Sequence, residues 1–182
     1  MQKEIKIINS LEFDTVCIYG VGVPSQFFDL IKGDKTGVDA FDKELYPRSW
    51  SGKTIASNIV SKYNKKGYDV VIINNSKHYK DLVKYFKQAL KNIKEEGKII
   101  FTHSMPKTPL DVTETPSKHQ FWCGQVQQFI LELISKGGYK VTTFDDGLGV
   151  SIVEIDETKE PKQIEVQGFE EVYFQRKKLM NN

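Results

Sequence analysis

The chain has 182 residues, of which 39% are hydrophobic and 27% charged, the composition of a folded domain with its own core. Lys+Arg 26 against Asp+Glu 24 leaves a formal charge of only +2, and the arginines are just Arg48 and Arg176, so a basic nucleic-acid-binding face is not expected. Cys17 and Cys123 sit in no CxxC or His-rich setting, which excludes a disulfide scaffold and a zinc ribbon.

The opening Met1-Gln-Lys-Glu-Ile-Lys lacks the apolar stretch of a secretory signal, and no apolar run reaches the roughly 18 residues of a membrane span. A cytoplasmic protein without membrane contact is the expectation. Residues 15–19, Thr-Val-Cys-Ile-Tyr, read as a buried parallel strand that ends at Gly20-Val-Gly22. Pro24 suits the first turn of a helix running through Phe27, Phe28, Leu30 and Ile31 to a cap at Gly33. Residues 35–39 predict a second strand. An irregular stretch follows at 41–51, and a helical segment at about 53–64.

Residues 69–73, Asp-Val-Val-Ile-Ile, make the strongest strand signal. The next helix carries Leu82, Phe86, Ala89, Leu90 and Ile93 at helical spacing, with Gly97 just past its end. Residues 99–102 predict another strand, 105–119 a polar loop, and about 120–135 a helix with Phe121, Trp122, Val126, Phe129, Ile130 and Leu133. The close reads as a hairpin, 139–144 and 150–155, around Asp145-Asp-Gly-Leu-Gly149. Composition turns charged from Glu157, so the chain divides into a domain at 1–156 and a C-terminal linker and β-like arm at 157–182. Strands separated by helices imply a doubly wound, mostly parallel Rossmann-like α/β sheet, here with a C-terminal antiparallel hairpin and a shortened middle portion.

Gly20 and Gly22 directly after the first strand allow a sharp turn and close approach of a ligand, with a helix start behind them. Ser25 stands where a full GxGxxG fingerprint has its third glycine, so the motif is truncated. Asp39 closes the second strand, where a carboxylate accepts hydrogen bonds from a ribose diol, or where it serves as a turn residue.

Three stretches resemble the class I S-adenosylmethionine (SAM)-dependent methyltransferases, most closely the small-molecule and sugar enzymes with an IDGxHxY…HD signature. They are Ile73-Asn-Asn-Ser-Lys-His-Tyr79 with Gly97 to Ser104, Phe121-Trp-Cys-Gly-Gln-Val126, and Thr143-Phe-Asp-Asp-Gly-Leu-Gly-Val150. The likeness spans about residues 13–156, and the terminal hairpin is its most discriminating part, because nicotinamide-binding Rossmann folds generally lack it. It implies SAM as cofactor, lying over Gly20 and Gly22, with its ribose on Asp39 and its adenine near Asn74 and Asn75. His103, at a strand's C-terminal end on the ligand-binding edge of the sheet, is a candidate general base or a loop histidine bonded to backbone.

The departures are specific. The acid expected near the end of the first strand is Ile18, the signature's aspartate and glycine are Asn74 and Asn75, and the aspartate after His103 is Ser104. Metal-dependent relatives use those two aspartates as hard ligands for magnesium, so no metal is expected here. The connection from Asp39 to Tyr68 has room for one helix, which leaves the third strand reduced to something near residues 45–50, or lost. His78 and His119 read as solvated, Tyr79 as packing at a helix start, Trp50 and Trp122 as core or loop anchors, and Cys17 as a small buried apolar side chain. A second reading follows from the missing acids: an inactive protein of this fold, a subunit of a larger assembly such as a viral particle, with residues 163–182 docking on a protein partner.

Overall fold

The computed structural model describes residues 2–20, 26–39, 53–56, 67–74, 76–112, 123–162 and 164. Helix α1 (Gln2–Ser10) leads into β1 (Thr15–Tyr19), α2 (Gln26–Leu30) and β2 (Asp34–Asp39). β3 (Lys53–Ala56), β4 (Tyr68–Ile73), α3 (Tyr79–Asn92) and β5 (Ile93–Thr102) follow. A 3-10 turn (Pro109–Val112), α4 (Val126–Lys136), β6 (Tyr139–Phe144) and β7 (Val150–Ile155) complete the order. The strands form one 7-stranded sheet in the order β3-β2-β1-β4-β5-β7-β6. β1 to β5 pair in parallel, and β7 inserts antiparallel between β5 and β6.

Side-chain alternation divides the core into two layers, one on each face of the sheet. Cys17, Tyr19, Val71, Ile73, Ile99 and Phe101 pack beneath α3 and α4, whose Leu82, Phe86, Ala89, Phe129 and Ile130 face them. Phe101 lies 5.5 Å from Phe129 and 6.0 Å from Phe86 between ring centroids, within range of favourable aromatic pairing. Val16, Ile18, Val70, Ile72 and Ile100 cover the other face, against Ile5 and Ile8 of α1 and Phe27, Phe28 and Ile31. Among the described residues no helix is long and apolar enough to cross a membrane.

Several expectations need correction. Residues 53–56 are the strand β3, not the start of a helix, so the third strand is not lost, while residues 45–50 lie outside the described residues. Pairing decides this: Thr36↔Lys53 through Asp39↔Ala56 gives β2 a parallel neighbour, and a ladder overrides the weak helical pattern of four residues. Residues 57–64 lie outside the described residues. Gly97 is not past a helix end either, because α3 stops at Asn92 and β5 already begins at Ile93. Gly97 is required inside the strand, since a Cβ there would lie 2.3 Å from Ile93 Cγ1 and 3.0 Å from Asp69 O, beside a register shift between Tyr68 and Val70. α4 begins at Val126 rather than near 120, with Phe121 and Trp122 outside the described residues. α1 has no counterpart in the sequence reading, as its apolar stripe is only Ile5 and Ile8 deep in the core.

The edge where the parallel strands begin is tied by Asp69. Its Oδ2 accepts from Thr15 N at 2.8 Å, Thr15 Oγ1 at 2.8 Å and Asp14 N at 3.1 Å, while Oδ1 pairs with Lys94. Burial pushes this carboxyl up, but the hydrogen bonds from Lys94, Thr15 and Asp14 outweigh it and hold it well below the usual carboxylate range. A folded-state pKa below the unfolded value stabilises the fold above about pH 4 and stops doing so as pH falls through the folded pKa. Asp69→Asn is therefore expected to cost about 1–3 kcal/mol at neutral pH and to flatten the loss of stability in acid. Urea midpoints for both proteins between about pH 5 and pH 2 check this; equal acid slopes would refute it.

Candidate functional site

The opposite edge, where β1, β2, β4 and β5 end, gathers the candidate residues. Register places them in one row: Tyr19 pairs with Val38 and with Ile73, and Ile73 with Phe101. One residue further on stand Asp39, Gly20, Asn74 and Thr102, side by side across four strands. The strand order reverses between β1 and β4, so the row spans the topological switch point where open α/β sheets bind ligands. His103 and Ser104 follow directly on β5. Gly22 and Asn75 lie outside the described residues.

Hydrogen bonds knit this row together. Asn74 N donates to Tyr19 O at 2.8 Å and Asn74 Nδ2 to Gly20 O at 3.1 Å. Thr102 Oγ1 donates to Asn74 Oδ1 at 2.8 Å, and His103 Nδ1 lies 3.0 Å from Thr102 Oγ1. Asn74 and Thr102 are each 2% exposed, so this is an internal network. Gly20 has φ +71°, and a Cβ there would lie 1.9 Å from Asn74 O. The turn after β1 thus needs glycine for the backbone of β4 before any ligand is considered. Gly124 (φ +60°) stands likewise against Lys77 O, and Gly149 (φ +83°) against Met105.

His103 has φ +60°, the only non-glycine residue with positive φ among the described residues. Such backbone costs on the order of 1–2 kcal/mol and concentrates at functional positions. Burial, and then the Lys77 ammonium, push its pKa down to about 3, so the ring is neutral at pH 7. Burial also lowers the Lys77 pKa, against the opposing pull of Cys123 and Glu4. Glu4, on α1, is 2% exposed. Burial pushes the Cys17 thiol up to about 12, and burial followed by Asp111 does the same for Cys123. Neither is a thiolate nucleophile at pH 7.

Sequence reasoning missed Lys77, Glu4 and Thr102. Lys77 stood inside a quoted motif, but its nearness to His103 and Cys123 arises only when the β4–α3 connection folds over the edge. Gln125 accounts for that: its N donates to Lys77 O at 2.8 Å, and its Oε1 accepts from Tyr79 N at 2.8 Å. His78 is exposed at the start of α3, and Tyr79 donates its phenol to Glu132 Oε2. His119, Trp50 and Trp122 lie outside the described residues. Among the described residues, no three His, Cys, Asp or Glu side chains converge as a metal site.

A parallel sheet reversed at β1/β4, with an antiparallel seventh strand inserted before the sixth, defines the class I SAM-dependent methyltransferase fold. Solved structures of that class match the chain over 85% of its length. The Podospora anserina methyltransferase PaMTH1, SAH-bound, is 14% identical and covered over 76% of its own length, at a TM-score of 0.61. The O-methyltransferase TomG from Streptomyces achromogenes, in complex with SAM, is 11% identical, covered over 78%, TM-score 0.58. An O-methyltransferase from Bacillus cereus in complex with SAH is 12% identical, covered over 80%, TM-score 0.57. No family profile and no curated protein sequence matches the chain. At these identities the likeness establishes the fold.

Proposed function

We propose that the protein is a SAM-dependent methyltransferase. The observation that carries the reading is the row Asp39–Gly20–Asn74–Thr102 at the switch point of a sheet whose order is that of the methyltransferase fold. Asp39 would hold the ribose, Gly20 and Gly22 the methionine end, and Asn74 and Asn75 the adenine side. Two buried hydroxyls suit a polar ligand at this edge. Ser76 Oγ and Ser104 Oγ have no hydrogen-bond partner among the described residues, and an unsatisfied buried hydroxyl costs about 1–3 kcal/mol that a ligand would recover. When bound, SAM supplies an electrophilic methyl group on a sulfonium; the protein's share is to align the acceptor and, for a protonated nucleophile, to take its proton.

Calorimetric titration with SAM tests the proposal. Binding on the order of micromolar is expected, about −8 kcal/mol. No heat at millimolar SAM would sink it and would favour the inactive subunit of a larger assembly, the reading suggested by Ile18, Asn74 and Ser104 in place of acids. In that second reading residues 163–182 dock on a protein partner.

Magnesium does not fit the residues present. The Asn74 amide oxygen already accepts from Thr102, and Ser104 contributes only a neutral hydroxyl. Without carboxylates, neither repays stripping the ion of its water. EDTA is therefore expected to leave melting temperature and SAM affinity unchanged. A drop restored by magnesium would contradict this.

A further inference from the structure

The protons along Asn74, Thr102 and His103 can be assigned in one direction only. Gly20 O is a carbonyl and needs a donor, so the Asn74 amide turns Nδ2 toward it. Its Oδ1 then faces Thr102, and this oxygen can only accept, so the single hydroxyl proton of Thr102 goes to Asn74. What Thr102 Oγ1 offers His103 Nδ1, at 3.0 Å, is a lone pair. Nδ1 must therefore carry the ring proton. A neutral imidazole protonated at Nδ1 has its free lone pair on Nε2, which has no hydrogen bond among the described residues.

We propose that Thr102 and Asn74 are positioning residues that hold His103 as the Nδ1–H tautomer, making Nε2 the proton acceptor for a hydroxyl-bearing methyl acceptor. The role given to Nε2 rests on the methyltransferase reading, whereas the tautomer does not. In the transfer, the acceptor's O–H proton passes to Nε2 and its oxygen bonds to the methyl carbon. The carbon–sulfur bond breaks with its electron pair left on sulfur, so the positive charge leaves the sulfonium and ends on the imidazolium. The Lys77 ammonium near His103 disfavours a cationic amine acceptor and suits a neutral hydroxyl. It also drives the proton off the imidazolium afterwards. The left-handed backbone of His103 (φ +60°) is a second mark of a side chain held for a purpose.

Nitrogen-15 NMR of the histidine rings at pH 7 tests this on the full chain, with no cofactor or acceptor added. The chain has 3 histidines, and His103→Gln identifies the ring in question. The His103 ring of the wild type is expected to show a protonated Nδ1 and a bare Nε2. Thr102→Ser, which keeps the hydroxyl, is expected to preserve that pattern, and Thr102→Val to lose it in favour of Nε2–H. A wild-type ring protonated at Nε2 overturns the proposal by itself, even if Thr102→Val does not fold. So does a folded Thr102→Val protein with the wild-type pattern. Because the readout involves no SAM, a failed SAM titration refutes the methyltransferase reading while leaving the tautomer to be decided here.

Discussion

Gly20→Ala is expected to lower the unfolding free energy by about 3 kcal/mol or more, and the melting temperature by roughly 6–12 °C. Two causes add. The backbone there has φ +71°, which an L side chain adopts only with strain, and the new methyl would lie 1.9 Å from Asn74 O. That oxygen belongs to the backbone of β4, so relief requires moving the strand end that carries the hydrogen bonds to Tyr19, Gly20 and Thr102. Gly138→Ala separates the two causes, since Gly138 has φ +76° but a methyl placed there meets nothing within 4 Å. That variant is expected to lose only about 1–2 kcal/mol. Thermal unfolding of the pair checks the claim. Equal losses would mean that the contact with Asn74 yields freely.

Asp39→Ala is expected to weaken SAM binding by about 100-fold or more in the same calorimetric titration. A carboxylate accepting from both ribose hydroxyls makes two charge-assisted hydrogen bonds, each about 1.5–3 kcal/mol, and about 3 kcal/mol already corresponds to two decades in Kd. Asp39 is the last residue of β2, so its replacement is expected to leave the strand's pairing with β1 and β3 intact. Asp34→Ala, at the other end of the same strand, provides the control and is expected to bind SAM as the wild type does. Wild-type affinity in Asp39→Ala would remove the ribose assignment while leaving the methyltransferase reading standing.

The core strands were legible because burial on both faces writes itself into composition. Residues 70–73 and 99–102 are continuous β-branched and aromatic runs, and both stand in the sheet centre. The hairpin was legible for a different reason, since Gly147 (φ +66°) and Gly149 (φ +83°) mark a turn that other residues cannot make. β3 was not legible: four residues carry too little pattern, and their state is set by the ladder offered by β2. α1 was missed because its short apolar stripe gains meaning only against Val16, Ile18 and Val70.

The same division runs through the site. Sequence alone determined the class of fold and brought forward Gly20, Asp39, Asn74 and His103, because strand ends and glycines after them are local signals. It also determined that Asn74 and Ser104 are neutral where the signature they resemble has aspartates, which is a matter of residue identity. Only the tertiary structure decided which way the protons run from His103 through Thr102 to Asn74, because β1, β4 and β5 meet through contacts far apart in the chain. It alone placed Lys77 near the histidine, and it alone showed that Gly20 makes room for a neighbouring strand. Spacing along one strand carries no record of what the next strand presents, so those facts exist only once the sheet has closed its register.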